Sequence, residues 1–319
     1  MSNLHYELGS AAASEAVIRD LYLNLRIELA RWSAVTRQTA QARMGYMGQH
    51  LVSVVTGHLG GRSGARGKDL VLPNGGSAEI KTCYRVDQLG RCKVCKNGVA
   101  PAEITCSECG SVELVRKNDS KWLISPKHDA DMRALFNPIS YYLVLFDFED
   151  FESPDVINAK IYEIDPRQNG FTFCMIDYYF NIRMKSVSKA PFNLWPYSLK
   201  FQLMEPVMIY QARIRSDNSI DTRIFPGEVG NPELIELDDL TTLVRATGLS
   251  IDTAQALARR IEIEPPEGAT KLELLALVES ARIEKGWTNS QIVGALCEAM
   301  YGPKIRSLHE WLPDAPRSA

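Results

Sequence analysis

Two cysteine pairs, Cys92-x-x-Cys95 and Cys106-x-x-Cys109, stand ten residues apart, and no other pattern in the chain constrains its local fold so tightly. Each pair can wrap two thiolates round one side of a tetrahedral ion while the spacer returns the chain, which is the arrangement of a small zinc ribbon. Gly98 and Gly110 follow the pairs where knuckle turns favour a residue free to adopt positive φ. The competing readings are four unrelated thiols or two disulfides. No secretory signal is visible and cytoplasmic thiols stay reduced, so a metal is expected, zinc first and iron second.

Just before the cysteines lies a group of charges. Asp69-Leu-Val-Leu-Pro and Ser-Ala-Glu79-Ile80-Lys81-Thr read as short strands joined by the turn sequence Pro73-Asn74-Gly75-Gly76. Glu79 and Lys81, two apart on a strand, must share a face, while Ala78 and Ile80 point the other way into a core. A two-residue turn would pair Asp69 with Ile80, on the wrong face. A three-residue loop with a glycine bulge is expected to pair it with Lys81. Two carboxylates and an ammonium converging this way form either a solvated salt-bridge cluster or a magnesium site. In the second case Asp69, Glu79 and the Ile80 carbonyl hold the ion, and Lys81 positions or deprotonates a water for attack on a phosphodiester.

Asp69 followed ten residues later by Glu79-Ile80-Lys81 resembles the PD-(D/E)xK nuclease motif. A preceding helix carrying Gly48-Gln49 is similar to the helix that often adds an acidic or amide side chain to such sites. The layout resembles type II restriction endonucleases, and the cysteine insertion after the catalytic strand suggests a MamI-like member; the likeness is firmest from residue 42 to 84. Lys68 stands where the motif has proline, and Gln49 where many members carry glutamate. The resemblance implies an α/β fold, a restriction-endonuclease-like mixed sheet flanked by helices. It also implies Mg2+-dependent, site-specific cleavage of double-stranded DNA by water activated at the metal, leaving a 5′-phosphate and a 3′-hydroxyl. Asp69, Glu79, Lys81 and Gln49 would be the catalytic set, and a homodimer would present one site to each strand. A structure-selective repair or recombination nuclease, or a non-catalytic zinc-ribbon binding protein, is the alternative.

A net charge of −3 argues against a protein that coats DNA indiscriminately, but the charge is uneven. Residues 17–97 hold 13 Lys or Arg against 5 Asp or Glu, and residues 227–319 hold 9 against 15. A polyanion should therefore approach the N-terminal half. The strip Arg62-Ser-Gly-Ala-Arg66-Gly-Lys68 is basic and rich in small residues, and Arg85, Arg91, Lys93 and Lys96 follow. Each is a candidate phosphate contact or an ordinary surface charge.

The remaining pattern gives helices over 11–34 and 36–55, strands over 121–125, 140–148 and 157–164, an ambiguous stretch over 171–180, and one or two strands over 199–215. The near-continuous apolar run at 140–148 belongs in the middle of a sheet. Residues 1–226 would be the nuclease domain, with the ribbon inserted at about 90–113. Beyond a linker at 226–232, a helical C-terminal domain over 227–319 would carry a candidate helix-turn-helix at 240–260. Ser250 would cap its second helix, and Gln255, Arg259 and Arg260 would be available to DNA. His128, Asp129 and Asp131 read as a solvated loop, and Cys83, Cys174 and Cys297 as small buried residues. No apolar run approaches the roughly 20 residues of a membrane span, so a soluble, intracellular protein without membrane contact is expected; the resemblance further implies the prokaryotic cytoplasm and no small-molecule cofactor.

Overall fold

A computed structural model describes residues 6–38, 45–61, 68–100, 103–117, 119–151, 153, 155–185, 190–225, 250–287 and, apart from 293 and 297, 291–300. It forms two compact units. The first comprises Met1–Trp122, Ser140–Glu163 and Val207–Gly230, and the second Leu123–Ile139, Ile164–Pro206 and Asn231–Ala319. The expected linker at 226–232 and the first helix of the expected helix-turn-helix lie outside the described residues.

The first unit is a mixed α/β layer. Its helices are α1 (Ala11–Ile18), continued by a π-helical stretch Arg19–Asn24 into α2 (Leu25–Thr36), and α3 (Gly45–Thr56). Its large sheet has the order β1-β2-β7-β8-β10-β11, from β1 (Leu70–Val71), β2 (Ser77–Tyr84), β7 (Ser140–Phe148), β8 (Val156–Ile164), β10 (Val207–Arg215) and β11 (Ile220–Ile224). β2 and β7 run parallel, while β1 with β2, β8 with β10 and β10 with β11 are antiparallel. The strand from Ser140 is buried along almost its whole length and lies third in the order, as its two-sided apolar run requires.

α3 covers this sheet because Met47, Leu51, Val52 and Val55 recur at helical spacing and meet Ile80, Tyr142, Val144 and Phe146 in one core. Gly48 lets it come close: a Cβ there would overlap Thr82 Oγ1 and lie 2.9 Å from Thr82 Cγ2. Trp122 closes the same unit, donating its indole N–H to the Val144 carbonyl at 3.0 Å. The ribbon is a separate three-stranded sheet of order β4-β3-β5, from β3 (Gly90–Cys92), β4 (Gly98–Val99) and β5 (Leu114–Val115).

The second unit holds α4 (Asp129–Phe136), α5 (Asn169–Asp177) with a π-helical continuation Tyr178–Arg183, α6 (Leu199–Leu203), α7 (Ile251–Arg260) and α8 (Lys271–Lys285). β6 (Trp122–Ile124) and β9 (Phe192–Leu194) make a two-stranded sheet. Two expectations are corrected here. Residues 199–203 are helical, because Ser198 accepts from the Phe201 N–H at 3.2 Å and starts a turn; only the segment after Pro206 is a strand. His128, Asp129 and Asp131 form no loop but the start of α4, where the acids favour the positive helix end and Asp129 accepts from the Tyr179 hydroxyl at 2.6 Å. The ambiguous stretch at 171–180 is helical. α8 begins with a full capping box, Thr270 with Glu273, and ends at Gly286 with φ of 63°.

The close passage of α3 over β2 yields a measurable consequence. Gly48→Ala is expected to destabilise the protein by about 1–3 kcal/mol, despite alanine's better helix propensity, because the new methyl overpacks against Thr82. Combining it with Thr82→Ala should recover most of that loss in urea titration. Equal losses in the single and double variants would show that the contact is not the cause.

Candidate active site and four-cysteine centre

The hairpin β1–β2 assembles the charged residues. Its loop is Pro73-Asn74-Gly75: the Gly75 N–H donates to the Leu72 carbonyl and the Leu72 N–H to the Gly76 carbonyl, both at 2.9 Å, and Gly75 has φ of 79°. This is the three-residue loop with a glycine in the left-handed region. Its register differs from the expected one, because Leu70 pairs with Ala78 and Val71 with Ser77. Continued by one step, the ladder sets Asp69 opposite Glu79 rather than Lys81. This register moves Asp69 along β2 from the expected partner, next to the residue whose backbone N–H its side chain accepts from, Ile80.

Asp69 is held at both oxygens. Oδ1 accepts from Gln49 Nε2 at 2.9 Å and Oδ2 from the Ile80 N–H at 2.8 Å. Its carbonyl accepts from the Gly61 N–H at 3.1 Å. Ala78 and Ile80 are buried as the alternation demands, leaving Glu79 and Lys81 together on the other face, where they form an ion pair. Both remain partly open to solvent, so the group is accessible. Among the described residues each Asp69 oxygen has a single side-chain or backbone donor, and the two carboxylates offer the hard oxygen ligands a divalent cation prefers.

Sequence reasoning missed Tyr141. The parallel register of β2 with β7 places it beside Glu79, and its hydroxyl is held in the neutral form by burial first and by the Glu79 charge second. It sits inside an apolar run whose composition gives no sign of a polar neighbour. Beside the hairpin, Gly57, His58, Leu59, Gly60, Gly61, Val71, Leu72 and Pro73 line an open depression of about 540 Å³.

The four cysteines come together as their spacing requires. Their sulfur atoms all lie within 4.8 Å of one another, with Cys92 to Cys109 at 3.6 Å and Cys95 to Cys106 at 3.5 Å, a cluster that could hold a metal ion. The two knuckles repeat one hydrogen-bond pattern. Lys96 N–H donates to the Cys92 carbonyl and Cys92 N–H to the Asn97 carbonyl; Gly110 N–H donates to the Cys106 carbonyl and Cys106 N–H to the Ser111 carbonyl. The left-handed residues are therefore the ones directly after each pair, Lys96 with φ of 64° and Gly110 with φ of 70°. Gly98, the expected one in the first knuckle, has no such conformation and lies in β4. The Cys95 backbone N–H, above all, lowers the pKa of the Cys92 thiol; at Cys95 the Asn97 backbone N–H acts the same way but is outweighed by burial and the other three sulfurs, which raise it, as expected of thiols crowded together.

Of the proposed DNA contacts, Lys68 is exposed beside Asp69, and Arg91 and Lys93 are exposed on the first knuckle. Arg259 is exposed and Gln255 half-buried on α7, whose N-terminus is capped by Ser250 as expected; Arg260 pairs with Glu298 at 2.6 Å. Arg62 and Arg66 lie outside the described residues. Arg85 is a correction. It follows directly on β2 and is buried and ion-paired with buried Asp147, which places it inside the protein instead of on its surface. Cys83 and Cys174 are buried, as expected of small apolar-like side chains.

The Arg85 assignment can be checked by stability. Asp147→Ala is expected to cost about 3–5 kcal/mol, because it strands a buried guanidinium. Replacing both partners by leucine should cost less than that single change, as read in denaturant unfolding.

A family model described as the MamI restriction endonuclease matches residues 31–235, a span that includes the hairpin, α3, the four cysteines and the large sheet. No curated protein and no solved structure matches the chain. The match covers more than half of the 319 residues and contains every group of the candidate centre. The chain therefore belongs to the MamI restriction endonuclease family and is a type II site-specific deoxyribonuclease.

Proposed function

We propose that this protein cuts double-stranded DNA at a specific sequence in a magnesium-dependent reaction at Asp69, Glu79 and Lys81, on a restriction-endonuclease-like sheet. The observation that carries the proposal is the convergence of these groups in a member of a restriction nuclease family, with Asp69 opposite Glu79 and clamped by Gln49 and Ile80. A bare surface ion pair between Glu79 and Lys81 would not need a third charged residue fixed by two donors. Asp69, Glu79 and the Ile80 carbonyl would hold Mg2+. The ion, when bound, supplies positive charge against the phosphate and makes water easier to deprotonate.

The protein's own groups do the remainder. Gln49 fixes the Asp69 carboxylate through Oδ1, and the backbone of β2 fixes it through Oδ2. Lys81, paired with Glu79 as an ammonium, would position the attacking water, and after giving its own proton to solvent its neutral amine could accept one from that water. The water oxygen then bonds to phosphorus in line with the bond from phosphorus to the 3′ oxygen. That bond would break and its oxygen take a proton from a solvent water, leaving a 5′-phosphate and a 3′-hydroxyl. The open depression beside the hairpin, lined in part by Gly60 and Gly61, gives the DNA backbone room to approach.

Further elements of the proposal are Zn2+ at the four cysteines, phosphate contacts from Arg62, Arg66, Lys68, Arg91 and Lys93, additional DNA contacts from Gln255 and Arg259, a homodimer, and action in the prokaryotic cytoplasm. Sulfur separations of 3.5 and 3.6 Å support zinc, since four Zn–S bonds of roughly 2.3 Å in a tetrahedron place the sulfurs roughly 3.8 Å apart. A disulfide would need roughly 2.05 Å. Among the described residues no helix is long and apolar enough to cross a membrane.

The decisive assay is incubation with unmethylated bacteriophage DNA, with magnesium and with chelator, followed by sequencing of the fragment ends. Discrete, magnesium-dependent fragments sharing one end sequence are expected, and intact DNA would refute site-specific cleavage. Lys81→Ala and Glu79→Ala should each lower cleavage by at least roughly 100-fold while leaving the fold intact; substantial activity in either variant would remove the proposed centre. Elemental analysis of native, reduced protein should find about one zinc per chain. Cys106→Ser should lose it, and protein without zinc would remove the ribbon assignment.

A further inference from the structure

Helix α2 is twelve residues long and buries none of them. The helix that leads into it behaves differently: α1 buries Ala13, Ser14 and Ile18, and the π-helical stretch buries Tyr22 and Leu23. A helix of three turns draws most of its stability from packing an apolar face, and α2 has such a face. Leu25, Leu29, Trp32 and Val35 follow one another at intervals of four, three and three residues, within one third of the circumference. Leu25, Trp32 and Val35 are 40, 57 and 71% exposed. Along one edge run Glu28 and Arg31, paired with each other at 2.5 Å, and the Arg31 guanidinium lies 5.8 Å from the Trp32 ring centre.

We propose that this stripe is the surface on which two copies of the chain associate. A two-fold interface must be self-complementary, and the stripe meets that demand twice. Its apolar side chains can interdigitate with their own copies. On antiparallel helices, Glu28 of one copy faces Arg31 of the other, exchanging two intrahelical ion pairs for two intermolecular ones. A core containing tryptophan, with arginine at a charged rim, also has the composition that dominates binding energy at protein interfaces. A three-turn stripe covers less than the roughly 800 Å² per partner of a standard interface, so α2 forms its apolar centre and neighbouring surface completes it. The choice of a second copy rests on the nuclease proposal in one respect: a chain with a single catalytic centre needs a twin to cut both strands.

Sedimentation equilibrium of the full-length protein, without DNA or magnesium, tests the proposal independently of cleavage. The wild type is expected to dimerise at micromolar concentration. Trp32→Glu combined with Val35→Glu should weaken association at least roughly 100-fold, with an unchanged circular dichroism spectrum because neither side chain is buried. Ala34→Glu, on the opposite side of α2, should leave the dimer intact. A wild type that stays monomeric at tens of micromolar, or a folded double variant that still dimerises, overturns the proposal. Should the double variant unfold, hydrogen exchange on the wild type decides: amide protection over 25–36 must rise with protein concentration, and exchange independent of concentration overturns the idea. Dimers of a protein that cleaves no DNA would sink the nuclease proposal and leave this one standing.

Discussion

Burial of Ala78 and Ile80 against α3 and the core forces Glu79 and Lys81 to the opposite face of β2, and every other part of the candidate centre is arranged about that strand. One edge pairs with β1 and brings Asp69 opposite Glu79; the other pairs with β7 and brings Tyr141 beside it. The face toward α3 is approached so closely at Gly48 and Thr82 that the next helical residue, Gln49, reaches Asp69. Shifting β2 by one residue would exchange its two faces, replacing a buried core with charges and a charged site with apolar side chains. The same hydrophobic term that holds the sheet together therefore fixes the chemistry.

Much of this was legible in the sequence because it depends on short periodicities. Alternation gave the facing of Glu79 and Lys81, the apolar run at 140–148 gave a central strand, Ser250 gave a helix start, and cysteine spacing gave the cluster. What failed depends on geometry that spacing does not contain. The loop length was foreseen but not the register it imposes, because counting residues cannot say where the ladder resumes after a glycine bulge. Arg85 looked like another cation in a basic stretch. Its burial is decided by Asp147, which lies 62 residues further along the chain. At residues 199–203 alternating apolar positions resembled a strand, yet one serine at the start supplied the hydrogen bond that favours a turn of helix.

The four-cysteine segment solves a different problem with the same economy of pattern. Its own core is Cys92, Val99 and Cys106 with Leu114 packed against them, far too little apolar surface to hold three two- or three-residue strands. Cross-linking through a shared ion would offset that deficit, and the two knuckles, with their duplicated hydrogen bonds, bring all four sulfurs within 4.8 Å of one another. Lys96 accepts a left-handed conformation that costs roughly 1 kcal/mol in a residue other than glycine. A bound metal of structural strength outweighs such a local cost many times over.

Charge is distributed along the chain in the same selective manner. With a net charge of −3 the protein as a whole repels DNA, yet the stretch from 17 to 97 carries an excess of 8 positive charges, 13 against 5. Some of that excess is spent inside the protein: Arg26 pairs with Asp87 and Arg85 with Asp147, both in largely buried settings. Among the cations left outside, Lys68 beside Asp69 and Arg91 and Lys93 on the first knuckle flank the hairpin in sequence on either side. Long-range attraction then acts near the two carboxylates, where an approaching phosphate meets its strongest local repulsion. A cation bound between Asp69 and Glu79 would reverse that repulsion.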